Sequence, residues 1–377
     1  DLEDPQMFHP RATLASLITA LLFINSPWAL ADPPDMANLA KGIWIDPQAI
    51  KTLPTSGAAW DKLKGDADSI LGTPNLANQD DMTNVWVLAK ALVYVRTGDP
   101  AYRDAVIAAC MAAIGTEAGG DTLALGRELA AYVIAADLVG LPPAEDARFR
   151  SWLATVTNVT KKDGRTLKQC HEQRPNNWGT MAGASRLAVA AYLGDEVDFM
   201  RAATVFKGYL GDRSSYAGFK YGALDWQADP TKPVGINPQG AVRDGHSIDG
   251  VLPEEQRRSE VAGGAFYWPP PQEGYVWEGL QGAIAQAVIL RRAGYPVLDW
   301  ENQALLRAYR WLHEQANFPA EGDDTWQPYL VNALYQTSFP IVTPSRPGKN
   351  VGYTDWPHAL LPAPQGLQLV DPEAPTD

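Results

Sequence analysis

Basic residues are in short supply in this chain of 377 residues, with 31 lysines and arginines against 44 aspartates and glutamates and a formal net charge of −13. A general nucleic-acid binder needs a basic face to displace counterions from phosphates, so the balance argues against that class. Cysteine is scarcer still, with only Cys110 and Cys170. In an oxidising compartment the pair can form one disulfide; Cys110, in an Ala-rich helical pattern, can equally be a small core residue. The two cysteines and five histidines lack metal-ligand spacing, and no metal or organic cofactor is expected. Charged residues make up just 20% of the chain, yet 46% hydrophobic and 10% aromatic content argues against disorder. Beyond residue 31 no uncharged apolar run reaches the roughly 20 residues that span a bilayer, so no stable membrane anchor is expected.

What is present begins with a leader-like stretch. From Met7, Arg11 supplies a positive n-region, Leu14 to Ile24 an apolar h-region, and Ala29-Leu30-Ala31 a small-residue cleavage site. Residues 1–31 are therefore expected to be a signal peptide with a short upstream extension. Residues 32–377 are then expected to form a single domain, monomeric and periplasmic or secreted.

The remainder carries helical patterning. Val85, Leu88, Leu92 and Val95 recur at helical spacing within Asn84 to Arg96. Further helices are expected from about Pro100 to Ile114, and over Thr122–Val139, Ala144–Thr157, Asn177–Tyr192 and Val197–Tyr209. Three more follow over Tyr275–Ala293, Asn302–Ala316 and Asp323–Gln336. Gly and Pro breaks such as Thr97-Gly98-Asp99-Pro100 separate them. Short turns between consecutive helices predict an all-α fold of antiparallel hairpins. The lack of a repeat consensus favours an incomplete (α/α) toroid over an open solenoid. Gly211 to Gly274 interrupts the pattern with Gly, Pro, Asp and aromatic residues, the composition of a long functional loop region.

Three segments carry chemistry. His171 to Gly179 opens a helix and includes Arg174, Asn176, Asn177 and Trp178; Asn176 suits an N-cap, and the segment also suits an anionic sugar. Arg243 to Arg258 places His246 and an arginine pair in a Gly-rich region, where a histidine can be structural or functional. Tyr275-Val276-Trp277-Glu278-Gly279-Leu280 turns a loop into a long apolar helix, with Tyr275 either packing or facing the cavity.

In this order the segments resemble the alginate lyase superfamily of polysaccharide lyases. Asn176-Asn177 match that family's helix-opening pair. Asp249, Gly250, Pro253, Glu255 and Arg258 match its Asp-Gly-x-x-Pro-x-Glu-x-x-Arg run, and Tyr275 with Leu280 matches its tyrosine-led helix. Trp178 departs from the pattern, which has a catalytic histidine there. The stretch from Arg258 to Tyr275 is longer than usual and contains Tyr267 as a rival tyrosine. The resemblance implies cleavage of a 1,4-linked uronate polymer (alginate, polymannuronate or glucuronan) by β-elimination. It implies Asn177, His246 and Arg258 as donors to the carboxylate and Tyr275 as acid and base, with His246 as base a close variant. Asn176, Trp178, Arg174, Tyr221, Trp226, Tyr267 and Trp277 are candidate contacts to the sugar, and Trp268 is a further aromatic. The rival readings are a glycoside hydrolase using carboxylates among Asp225, Asp244, Asp249 and Glu255, or a non-catalytic polysaccharide-binding protein.

Net charge does not argue against an acidic polymer once it is localised. Lys161 to Tyr192 holds six basic and two acidic residues. That local balance surrounds the asparagine pair, and local charge governs a cleft.

Overall fold

The computed structural model describes Leu39 and residues 42–358. The expected leader at residues 1–31 lies outside them. Among the described residues, four helical hairpins follow one another. After a single turn at Pro47–Ile50, α1 (Ala58–Asp68) precedes α2 (Thr83–Thr97) and α3 (Pro100–Ala113), then α4 (Thr122–Val139) and α5 (Pro143–Val156). A short α6 (Leu167–Gln173) leads into α7 (Asn177–Leu193) and α8 (Glu196–Leu210); α9 (Gly274–Arg292), α10 (Trp300–Glu314) and α11 (Gln327–Tyr335) complete the series.

The first member of each hairpin lies inside. Helix α2 packs on α4, α4 on α7, and α7 on α9, which makes a continuous inner layer. These inner helices are buried on nearly every side, as helices without a polar face must be. The inner helices also approach closely. A Cβ at Gly282 of α9 would lie 2.3 Å from the Thr180 carbonyl carbon of α7, so any larger residue would force the two apart. The outer members α3, α5, α8 and α10 return the chain. This is the expected all-α toroid of hairpins.

Local signals set the boundaries. Asp99 and Asp121 accept from the amides of Ala101 and Ala124 as N-caps, and Gly98 ends α2 in the left-handed region. Helices α1 and α6 were not expected from sequence. Among the described residues the only sheet is the hairpin of β1 (Val242–Arg243) and β2 (His246–Ser247), inside the long interruption.

The C-terminal segment returns to the start of the described chain. Trp356 packs on Trp60 with ring centroids 5.4 Å apart, and its indole donates to the Pro54 carbonyl at 2.8 Å. The Tyr353 hydroxyl donates to Asp66 at 3.0 Å. Cys110 and Cys170 are free and buried, so the disulfide alternative does not hold; burial pushes both thiols up to about 12. Among the described residues no helix is long and apolar enough to cross a membrane.

Candidate active site

The site is built where three chain segments meet: the start of α7, the loop after β2, and the start of α9. Asn176 has the extended backbone of an N-cap, but its side chain caps nothing and its Oδ1 is buried without a partner. Asn177, the first residue of α7, is almost fully buried, and its backbone N–H donates to Glu255. Glu255 thus takes one of the amides that a helix start leaves open.

Glu255 arrives through the Asp-Gly run. Gly250 has φ +82, and a Cβ there would sit 2.4 Å from the Arg307 carbonyl carbon, so only glycine lets the loop pass α10. Asp249 is paired with Arg307 and accepts from the Gly240 amide at 2.8 Å. A single helical turn, Pro253–Gln256, then places Glu255 and Arg258 three residues apart on one side. Arg258 Nη1 donates to Glu255 Oε2 at 3.0 Å and to Asn177 Oδ1 at 3.0 Å. Burial pushes the Glu255 carboxyl up to about 8, against the opposing pull of Arg258 and the Asn177 amide.

Tyr275 completes the group. Glu273 accepts from the Tyr275 amide at 3.1 Å and so starts α9, and the ring is 40% exposed toward solvent. The Arg258 guanidinium lies over that ring, 3.2 Å from its centroid. One helical turn further on, Glu278 accepts from Asn177 Nδ2 at 2.7 Å and from Arg127 Nη2 at 2.7 Å. Asn177, Arg258 and Tyr275 are therefore in one constellation, tied together by two glutamates.

The other expected site residues distribute differently. His246, on β2, stacks on Trp268 with centroids 4.3 Å apart and planes 9° from parallel. No described hydrogen bond, ion pair or ring contact joins it to Asn177, Arg258 or Tyr275. Trp178 lies next to Asn177 under the Arg174 guanidinium, 4.0 Å from its ring centroid, and Arg174 pairs with Asp163 at 3.6 Å. Tyr267 is about half exposed, whereas Tyr221 is partly buried beside Phe219, with its phenol raised by burial.

Trp226 and Trp277 must be corrected. Both are 1% exposed. Trp226 packs on Phe266 at 4.9 Å, and Trp277 donates to the Phe318 carbonyl at 3.3 Å. Neither offers a face to a sugar. Two residues were missed from sequence as site members, Glu278 and Arg127. Glu278 had a signal, since residues three apart on a helix share a face with each other; Arg127 had none. Among the described residues no group of His, Cys, Asp or Glu is arranged to hold a metal ion.

Comparison with known proteins bears on the fold that carries this site. Residues 66–219 match the family model described as alginate lyase. Over that stretch the chain is similar to the alginate lyase family. The matched stretch includes Asn177, while Arg258, Tyr275 and Glu278 lie beyond it. Among solved structures, the chain is similar to alginate lyase A1-III from Sphingomonas species A1, with a TM-score of 0.56 and 14% identity over 88% of this chain and 99% of that one. It is also similar to a histidine-to-alanine variant of alginate lyase A1-III complexed with tetrasaccharide, with a TM-score of 0.54 and 16% identity over 89% and 98% of the two chains. At such identities the likeness shows the shared toroid. No curated protein matches the chain.

Proposed function

We propose that this protein is a polysaccharide lyase that cleaves a 1,4-linked uronate polymer, alginate or glucuronan, by β-elimination. The observation that carries the proposal is the Arg258 guanidinium, which bridges Asn177 and Glu255 while lying over the ring of an exposed tyrosine. Elimination breaks the C5–H bond alpha to the carboxylate and the C4–O4 bond, and leaves a C4–C5 double bond. The C5 proton is weakly acidic because negative charge must build on a group that is already an anion. Donors placed in advance offset that charge better than water, which must reorganise to do so.

Arg258 and the free hydrogen of Asn177 Nδ2 are the donors assigned to the carboxylate. Tyr275, as phenolate, takes the C5 proton and delivers it to O4 as that bond breaks. Trp178 fills the family's histidine position with an indole, which has no ionisable nitrogen. Proton transfer is therefore assigned to Tyr275, and the stacked Trp178 and Arg174 pair to a neighbouring sugar. The His246–Trp268 stack is assigned to substrate contact on the hairpin side. The hydrolase reading has less support, because Asp249 and Glu255 are held by Arg307 and Arg258. The leader-like residues support action in the periplasm or outside the cell.

The test is a panel of polymannuronate, polyguluronate, glucuronan and a neutral glucan, followed by ultraviolet absorbance and reducing ends together. Absorbing unsaturated ends on a uronate polymer are expected. New reducing ends without absorbance would establish hydrolysis instead, and binding without either would establish a binding protein.

A further inference from the structure

We propose that Glu278, backed by Arg127, is a positioning residue that sets which way the Asn177 amide faces. The proposal rests on the lyase reading of this site. A side-chain amide can present either its oxygen or its N–H group to an incoming carboxylate, and only the N–H group attracts it. Nothing in the amide itself decides between them, because the two orientations have the same shape.

The surroundings do decide. Asn177 Oδ1 accepts from Arg258 Nη1 at 3.0 Å and from the Trp178 amide at 3.0 Å, while Nδ2 donates to Glu278 Oε2 at 2.7 Å. Turning the amide over would set its N–H group against two donors and its oxygen against a carboxylate. All three contacts would become repulsive. Glu278 is the only one of the three that grips the nitrogen. It leaves the second Nδ2 hydrogen for the substrate.

Glu278 also carries a liability, since a carboxylate beside the site repels an anionic sugar. Arg127 answers it. Its Nη2 donates to the same Glu278 oxygen at 2.7 Å, its side chain is 5% exposed, and Nη1 donates to the Gln79 carbonyl at 3.3 Å. The carboxylate is thereby held in place and its charge is balanced by a buried cation. Because Glu278 lies one helical turn after Tyr275, α9 sets the proton-transfer group and the amide's orientation with one rigid element.

A double-mutant cycle tests this through Asn177 itself. Glu278→Ala is expected to lower kcat at least tenfold with a smaller change in KM, and Glu278→Gln, whose oxygen can still accept from both partners, to recover most of the loss. In an Asn177→Ala background, Glu278→Ala should cost less than threefold more. A loss as large as in the wild-type background would overturn the proposal, because Glu278 would then act independently of Asn177. A second readout needs no activity. With asparagine-selective 15N labelling, the Asn177 side-chain amide resonance should move in Glu278→Ala and stay near its place in Glu278→Gln. An unmoved resonance in Glu278→Ala also overturns the proposal. If the wild-type protein forms no unsaturated product, the lyase reading fails while the resonance still reports on Glu278.

Discussion

Replacing Arg258 with lysine separates charge from shape at the centre of the site. Arg258 makes three contacts at once: Asn177 Oδ1 at 3.0 Å, Glu255 Oε2 at 3.0 Å, and the Tyr275 ring at 3.2 Å. A lysine ammonium keeps the charge, but on its unforked stem it cannot hold both oxygens and cover the ring at once. The loss is one charge-assisted hydrogen bond, about 1.5–3 kcal/mol, and the ring contact, about 0.5–2 kcal/mol for a partly desolvated cation. Together these amount to about 2–5 kcal/mol, and each 1.4 kcal/mol is about tenfold. Arg258→Lys should therefore lower kcat/KM by roughly 30-fold to several thousandfold. Most of the loss should fall on kcat, because the charge Arg258 offsets develops as the proton leaves. Initial rates of ultraviolet absorbance on the best uronate polymer measure it, with thermal unfolding as a control for folding. Arg258→Ala is the weaker test, since it strands a buried carboxyl. An Arg258→Lys variant within about threefold of wild type would refute the assignment of Arg258 to charge stabilisation.

Other perturbations follow from the same geometry. Tyr275→Phe should abolish product formation with polymer binding retained, and Tyr267→Phe should remain active; the reverse result would place the proton transfer on the inserted loop. Burial raises the Glu255 carboxyl to about 8 from an ordinary 4.5, so the folded state favours its protonated form. Stability from this group is fully present below about pH 4.5 and is lost as pH rises toward 8. Over that window the melting temperature of wild type should fall relative to Glu255→Gln, and parallel pH profiles would contradict the shift. Cys110 and Cys170, whose thiols burial raises to about 12, should resist thiol reagents in the native state at pH 8 and react on unfolding.

Much of the helix pattern was legible because its boundaries are chemical. Thr122–Val139 follows Asp121, whose side chain accepts from the Ala124 amide, and precedes Gly140. Helix α1 escaped notice because charged residues dilute its three buried positions, Trp60, Leu63 and Ala67. Helix α6 is short, although Thr166 and Gln169 form a capping box that could have revealed it. At the site, Asn177, Arg258 and Tyr275 were legible through a motif. Trp277 could have been excluded, since two residues after Tyr275 it faces away from the same helix side. Arg127 meets Glu278 across 151 residues, a pairing made by packing of α4, α7 and α9 rather than by local pattern.

The clasp between Trp356 and the segment around Pro54 bears on how the molecule is made. The two partners are 302 positions apart. Hairpins along the arc can form in turn as the chain emerges, because each needs only its neighbours. Their closure must wait for the last of them, so the edge at α1 stays bare through most of synthesis. Contacts this distant are slow to find, and an uncovered apolar edge is then open to wrong partners. The interval before closure is thus when the nascent protein has most need of a chaperone.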